Sequence, residues 1–579
     1  MKNKTLLRLF KYVGKYKLHI FAVIICAFIS NLLMVIGPLL VGRGIDYIVS
    51  YRKVNFNYLL KLIYILAALY VISAVFSWIF SMIANVIAFH TVQDIRKEAF
   101  DKISMLPLSY FDNNAHGDIM SRLTNDIDAI SDGVLQGITQ FYPGIVTILS
   151  SLVLMIILSP KITLVILLMT PFCFFIASFI TTRSNKMFKE QQKTVGELNG
   201  YIEEIIGNQK VVKAFGYEKN SQEVFKEINE RLYKCGRFAQ LYSSLTNPST
   251  RFVNNITYIL VGVVGGICSV VGGLSIGKIS SFLTYSTQFS QPINNITSVT
   301  TQLQAAVAAA ERVFSILDEI PETPEAENSS TLKECYGDIS FKDVSFSYRK
   351  DVPLIRNLNI DIKSGSTIAI VGPTGAGKTT MVNLLMRFYD INSGGIFVDK
   401  RNIGEITRNS LRGAFGMVLQ DTWLFAGTVR ENISYGKPKA TIKEIEKAAK
   451  AAHIHNFIKS LPKGYDTIIT EGGENLSQGQ KQLLTIARVM LIDPPMLILD
   501  EATSSIDTRT ELSIQKAFLS MMKGRTSFII AHRLSTIRDA DLILVMNNGE
   551  IIENGNHTEL IKKGGFYANL YNSQFELTN

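Results

Sequence analysis

Charge-free apolar stretches fill the first half of the chain, and β-rich runs alternate with helical ones in the second. One glycine-rich loop sits between a strand pattern and a helix pattern. Together these observations predict an α-helical transmembrane domain of six spans with long cytoplasmic extensions over residues 1–320. An α/β P-loop domain is predicted over residues 337–579, with a polar linker, 321–336, between them. At 579 residues the chain is too long for one domain, and 47% hydrophobic against 19% charged residues leans toward a membrane protein. The net charge of +10 comes from basic residues flanking apolar spans. No polybasic run suggests a groove for a phosphate backbone, so nucleic acid is not expected as a partner. The five cysteines, Cys26, Cys173, Cys235, Cys268 and Cys335, are scattered without metal-like spacing.

The stretches 18–42, 62–93, 133–160, 162–182, 252–277 and 279–310 carry no Asp, Glu, Lys or Arg. Each reaches the ~20 residues that a bilayer crossing needs. Lys2, Lys4, Arg8, Lys11, Lys15 and Lys17 precede the first. Its apolar core is too long for a signal peptide, and no small-residue cleavage site follows, so it reads as a retained helix. Loop lengths then set the topology. Spans three and four join through Ser159-Pro160-Lys161, and five and six through 272–278. Residues 94–132 and 183–251 are long and charged, with Arg96, Lys97, Lys102, Arg122, Arg183 and Lys186 near the span ends. The excess of Lys and Arg places these segments and both termini in the cytoplasm. No carboxylate lies within any span, so a proton- or sodium-driven pump is not expected. The last two spans are rich in amides and hydroxyls, including Asn254, Asn255, Thr257, Tyr285, Gln288, Gln291, Asn294 and Asn295. Interhelical hydrogen bonding and a wetted cargo cavity both account for them.

The linker Pro321-Glu-Thr-Pro-Glu-Ala-Glu-Asn-Ser-Ser330 closes the first domain. Beyond it, 339–346 and 496–499 read as strands and 441–452 as a helix. The run Gly372-Pro373-Thr374-Gly375-Ala376-Gly377-Lys378-Thr379 follows the β-rich Thr367–Val371 and precedes a helical Thr380–Met386. Glycines at these places let successive backbone N–H groups point at phosphates. Lys378 supplies a positive charge to the β- and γ-phosphates, and Thr379 a hydroxyl to Mg²⁺. Met496–Glu501 is an apolar strand ending in two carboxylates. Asp500 is suited to hold Mg²⁺ through water, and Glu501 to polarise the water that attacks in line.

At this point the chain resembles the ABC exporter half-transporters, and the likeness runs its whole length. Leu476-Ser477-Gln478-Gly479-Gln480 resembles their signature motif. Gln420 resembles the Q-loop glutamine that reaches Mg²⁺, Ser505 and Asp507 the D-loop, and His532 the switch histidine. Tyr348 resembles the aromatic that stacks on adenine, and Thr380 continues the phosphate-loop contacts. The likeness gives two cytoplasmic segments a coupling role, one around Asn113, Gly117 and Asp118 and one around Phe215 and Gly216. It implies ATP and Mg²⁺ as cofactors, a second half-transporter as partner, and multi-pass residence in a bacterial plasma membrane with the ATPase domain cytoplasmic.

In this family each ATP lies between one subunit's phosphate loop and the other's signature motif. Ser477 would therefore serve the partner's ATP, while Glu501 and His532 hydrolyse the chain's own. The third signature residue is ordinarily glycine; here Gln478 places a side chain where backbone must approach phosphate closely. The run 474–480 resembles the catalytically competent half of heterodimeric multidrug exporters, so a heterodimer with one weakened site is expected; a homodimer tolerating Gln478 is the alternative. The cargo expected is an amphipathic small molecule or drug, with a lipid or lipopeptide flippase as the runner-up. An ATP-gated regulatory membrane protein is the reading from a different class, and Glu501 and His532 speak against it.

Overall fold

The computed structural model describes residues 2–48, 54–325, 329–332, 334–349, 352–420, 422–500, 507–530 and 537–575. Its contacts divide the chain into two compact units, residues 1–105 with 114–320, and residues 106–113 with 321–579.

The first unit is helical. After the amphipathic Lys2–Val13, its long helices run Lys17–Ile48, Phe56–Ile103, Pro160–Gly207, Glu218–Gly272 and Ile276–Leu317. A further, locally irregular helical stretch covers His116–Leu158. Among the described residues, four stretches are long and apolar enough to cross a bilayer: Lys4–Ile48, Phe56–Ile103, His116–Leu158 and Glu218–Gly272. The helix Pro160–Gly207 contributes a shorter apolar run, Pro160–Phe172, and Ile276–Leu317 carries Ser, Thr, Gln and Asn through its middle. The chain reverses at single points. Ser159 is extended (φ −165°) and Pro160 opens the next helix, where its missing N–H costs nothing. Gly273, at φ +67°, ends Glu218–Gly272, and Ser275 caps Ile276–Leu317.

Two features depart from the sequence expectation. The first helix does not stop at Gly42 but continues to Ile48 and so carries Asp46. This carboxylate caps the helix that starts at Ile276: Ser275 Oγ donates to it at 2.7 Å and the Gly277 N–H at 2.7 Å. Within His116–Leu158, two π-helical turns, Arg122–Asp126 and Gly137–Phe141, interrupt the α-helix. The first presents the buried Asp126 to Arg312, which donates through Nε (2.8 Å) and Nη2 (2.5 Å). Small hydroxyls tie other helices, as where Ser30 and Ser73 each donate to the other's carbonyl at 3.0 Å.

In the second unit a six-stranded sheet runs in the order Glu550–Gly555, Leu542–Asn547, Thr367–Val371, Thr526–Ile530, Met496–Asp500, Phe415–Val418. All its pairings are parallel except the first. Side chains alternate across a strand, so one apolar run feeds two cores. Ala369, Val371, Leu497, Leu499, Ile529 and Val545 pack on one face. Ile368, Ile370, Met496, Ile498, Phe528 and Met546 pack on the other. Each of these side chains larger than alanine contributes about 1.5–3 kcal/mol by leaving water. A smaller antiparallel sheet, Ile355–Ile362, Ile339–Phe346, Ser393–Val398 and Arg401–Asn402, closes the second face. Helices Ile442–Ala451, His455–Ser460 and Gln478–Ile492 belong with the first.

The segment read as a polar linker packs on this unit. Glu322 pairs with Arg408 (3.1 Å) and Arg412 (2.7 Å), Thr323 donates to Asp390 (2.8 Å), and Glu325 accepts from the Arg408 N–H (2.8 Å). Its charges therefore serve as contacts as well as solubility.

Candidate functional site

Parallel strands bind ligands beyond their carboxyl ends. Here three such ends are in register: Ile370 lies opposite Ile530, and Ile530 opposite Asp500. The phosphate loop leaves the first strand and Asp500 closes the third. Gly372, at φ +152°, has the carbonyl of Met546 where a Cβ would stand 2.2 Å away, so no other residue fits the first turn. Gly375 (φ +83°) and Gly377 (φ +99°) hold left-handed conformations that curl the loop into the helix Lys378–Leu385. Pro373, Thr374 and Thr379 are exposed, while Ala376 turns into the core. Lys378 Nζ donates to the carbonyls of Gly372 (2.8 Å) and Pro373 (3.0 Å). Burial pulls its pKa below the ordinary lysine value, and the charge of Asp500 opposes that shift. Thr380 is buried, and its hydroxyl accepts from the Tyr348 phenol at 3.3 Å, so it tethers the aromatic.

Tyr348 is half exposed and packs edge-on against Phe346 and Tyr389, both at 4.9 Å between ring centres. Sequence reasoning missed Tyr389. Its phenol donates to Asp112 in the short helix Leu108–Asn113, which clusters with this unit. Burial, then Asp112, raises its pKa above the ordinary tyrosine value. The aromatic pair Phe388-Tyr389 just past the phosphate-loop helix was the available signal.

Ser477 caps Gln478–Ile492 in a reciprocal capping box. Its Oγ accepts from the Gln480 N–H (3.3 Å), and Gln480 Oε1 accepts from the Ser477 N–H (3.0 Å). Gln478 is exposed at the first helical position, Gly479 is buried and Leu476 packs against the core. Farther along, the half-buried guanidinium of Arg488, also missed from sequence, donates to the Asn432 carbonyl (2.9 Å) and lies 5.4 Å from the Tyr435 ring. Gln420 is exposed just past Phe415–Val418. Asp507 caps Thr508–Met522, accepting from the Thr510 N–H at 2.9 Å; that bond lowers its pKa. Glu501, Ser505 and His532 lie outside the described residues.

The coupling residues sit at helix ends. Asn113 closes Leu108–Asn113, Gly117 and Asp118 lie in the first turn of His116–Ser121, and Phe215 caps Gln209–Ala214 with Gly216 at φ +62°. Phe215 is 81% exposed.

The glycine-shaped loop, the lysine and the helix start fit a polyphosphate. The exposed Thr379 hydroxyl and the Asp500 carboxylate at the same sheet edge fit a hard cation such as Mg²⁺.

Comparison with known proteins agrees. Family models for the ABC transporter transmembrane region and the ABC transporter match residues 20–293 and 355–504. The chain is 43% identical, over 99% of itself and 94% of the relative, to the uncharacterized ABC transporter ATP-binding protein YfiC of Bacillus subtilis. It is 45% identical, over 91% and 82%, to a fatty acid ABC transporter ATP-binding/permease protein of Mycobacterium bovis. It is 34% identical, over 98% and 94%, to an ATP-dependent lipid A-core flippase of Syntrophus aciditrophicus. Among solved structures, a bacterial Atm1-family ABC exporter with ATP bound superimposes with a TM-score of 0.78 at 26% identity, over 96% of this chain and 98% of that one. A helical membrane domain fused ahead of a phosphate-loop ATPase, matched along nearly its full length, makes this chain a member of the ABC transporter family, an exporter half-transporter that binds ATP.

Proposed function

We propose that this chain is one half of a dimeric exporter that moves amphipathic small molecules across a bacterial plasma membrane at the expense of ATP. The carrying observation is the register of Ile370, Ile530 and Asp500, which sets the phosphate loop and a carboxylate at one sheet edge on a chain with spanning helices.

Residues 372–380 hold the phosphates, Tyr348 stacks on the base, and Thr379, Gln420 and Asp500 would hold Mg²⁺, which when bound neutralises the phosphate oxygens. Glu501 accepts a proton from the attacking water, and His532 holds the γ-phosphate oxygens. Ser477 and the helix start behind it complete the partner's site, where the helix dipole favours an anion. The D-loop residues Ser505 and Asp507 would serve that shared boundary, and Asn113, Gly117, Asp118, Phe215 and Gly216 would pass closure of the ATPase domains to the membrane helices. ATP favours the closed state, and that difference in affinity drives the shift. Gln478 crowds the partner's phosphate, so we assign a heterodimer with one strong and one weak site. The names of the mycobacterial and Syntrophus relatives support a lipid-like cargo as the second reading.

The test is ATP hydrolysis in lipid by this protein alone and by a one-to-one complex with the half-transporter encoded beside it. The complex is expected to turn over and the lone chain to be slow. Glu501→Gln in that complex should keep ATP binding and lose about 100-fold or more in turnover. Strong turnover by a homogeneous homodimer removes the heterodimer, and full activity of the variant removes Glu501.

A further inference from the structure

The first unit carries a half-open cavity of about 350 Å³, the size range of small-molecule sites. Its walls come from three helices at places where each departs from a plain apolar span. The π-helical turn Gly137–Phe141 contributes Thr139 and Gln140, and turns of this kind inside α-helices recur at functional sites. The helix Ile276–Leu317 contributes Gln288, Gln291 and Asn295 around its internal Pro292. The first helix contributes Asn31, which accepts from Thr147 Oγ1 at 3.0 Å and donates to the Ala27 carbonyl at 2.7 Å. Apolar wall is supplied by Met34, Val35, Ile145 and Val299. Two facts decide the chemistry. Among the described residues, no Asp, Glu, Lys, Arg or His lines the cavity. The Gln288 Oε1 atom is shielded from solvent and accepts no hydrogen bond among the described residues. A site without a countercharge disfavours either sign of ion, since the part of a charge that is desolvated against its walls has no partner. Amides offering both donors and acceptors match hydroxyl and amide groups.

We propose that this cavity selects the cargo by its head group, taking an uncharged, hydroxyl- or amide-bearing amphiphile in preference to a carboxylate or a quaternary ammonium with the same tail. Gln288 is the specificity-determining residue, its amide turning from the shielded position to present the carbonyl oxygen to the head. The inference rests on the export reading above and sharpens it.

The experiment uses the full chain with its co-purifying partner in lipid nanodiscs and three probes that share a dodecyl tail: dodecyl glucoside, dodecanoate and dodecyltrimethylammonium, each below its micelle concentration. Retention over empty nanodiscs and stimulation of ATP hydrolysis are both read. The glucoside is expected to bind and stimulate best. Gln288→Leu should weaken it about 3- to 10-fold, the loss of one buried hydrogen bond, with little change for the ions. Gln288→Glu should move the preference to the ammonium. Equal or better response to dodecanoate or the ammonium in the unmodified protein overturns the proposal and leaves export standing. So does a glucoside preference that survives both Gln288→Leu and Gln291→Leu. Steady hydrolysis with no retention or stimulation by any of the three overturns both.

Discussion

Glycine fixes a close approach in both units, but to different ends. In the ATPase unit Gly372, Gly375 and Gly377 lie within one short segment and free the backbone to turn toward a ligand. In the membrane unit Gly42 and Gly277 are far apart in sequence and face each other, so that a Cβ on Gly277 would stand 1.8 Å from the Gly42 carbonyl oxygen. Around them Ser281 donates to the Pro38 carbonyl (2.8 Å), Tyr285 to the Val35 carbonyl (2.7 Å), and Asp46 caps the second helix. One set of glycines builds chemistry from neighbours in sequence; the other locks two helices through partners drawn from opposite ends of the domain. Breaking the first should abolish activity with the fold intact, and breaking the second should loosen the fold first.

The largest effect is expected at the phosphate loop. Lys378→Ala removes the positive charge that meets the phosphates and should lower ATP hydrolysis at least about 100-fold, while the thermal midpoint without nucleotide stays within a few degrees. A large drop in that midpoint instead would mean that Lys378 holds the loop together through the Gly372 and Pro373 carbonyls, and the comparison would blur.

Next comes the helix lock. Gly277→Ala forces a methyl into the backbone of the first helix and should cost about 3 kcal/mol, at the upper end of overpacking, read as a lowered unfolding midpoint in lipid. Gly262→Ala, where a Cβ meets nothing within 4 Å, is the matched control and should change little. If both substitutions behave alike, the Gly42–Gly277 contact carries no special weight.

This difference also explains what was legible in the sequence. The phosphate loop, Asp500 and the signature residues fall at the strand and helix ends that the sequence pattern indicates, because they are consecutive and strand periodicity sets which way they face. The helical character of the first unit was legible for the same reason, apolarity being a local property, although among the described residues four stretches rather than six are long and apolar enough to cross a bilayer. Asp46 went unread because its partners, Ser275 and Gly277, are more than two hundred residues away. The π-helical turns at Arg122–Asp126 and Gly137–Phe141 carry no local signal, since their residues suit an α-helix equally well. Tyr389 was hidden because its role depends on Tyr348 and Asp112 arriving from elsewhere.

A third substitution tests a long-range pair inside the membrane unit. Arg312→Leu leaves the buried Asp126 carboxylate without its two donors and should cost about 2 kcal/mol, the usual range for hydrogen bonds to a charge. Adding Asp126→Asn should restore more than half of that, because the stranded charge is gone. An additive double variant would show that the two side chains do not depend on each other.

The smallest effect is a local device in the ATPase unit, and it turns on pH. Thr441 and Glu444 form a capping box at the start of Ile442–Ala451, and Glu444 also accepts from Lys437 at 2.7 Å. The Lys437 hydrogen bond first, then the Thr441 N–H and hydroxyl, pushes the Glu444 carboxyl down to about 2 from its ordinary 4.5. A carboxyl whose folded pKa is depressed stabilises the protein fully above its unfolded value and loses that contribution as pH falls through the folded one. The thermal midpoint of the unmodified protein should therefore exceed that of Glu444→Gln near neutral pH by a small margin, and the margin should close between about pH 4.5 and pH 2. A Gln side chain keeps the cap geometry but not the charge, so the comparison isolates the ionised form. A margin that stays constant down to pH 2 would assign the effect to shape. The consecutive residues of the ATPase unit would then owe their helix start to the same kind of packing that joins Gly42 to Gly277.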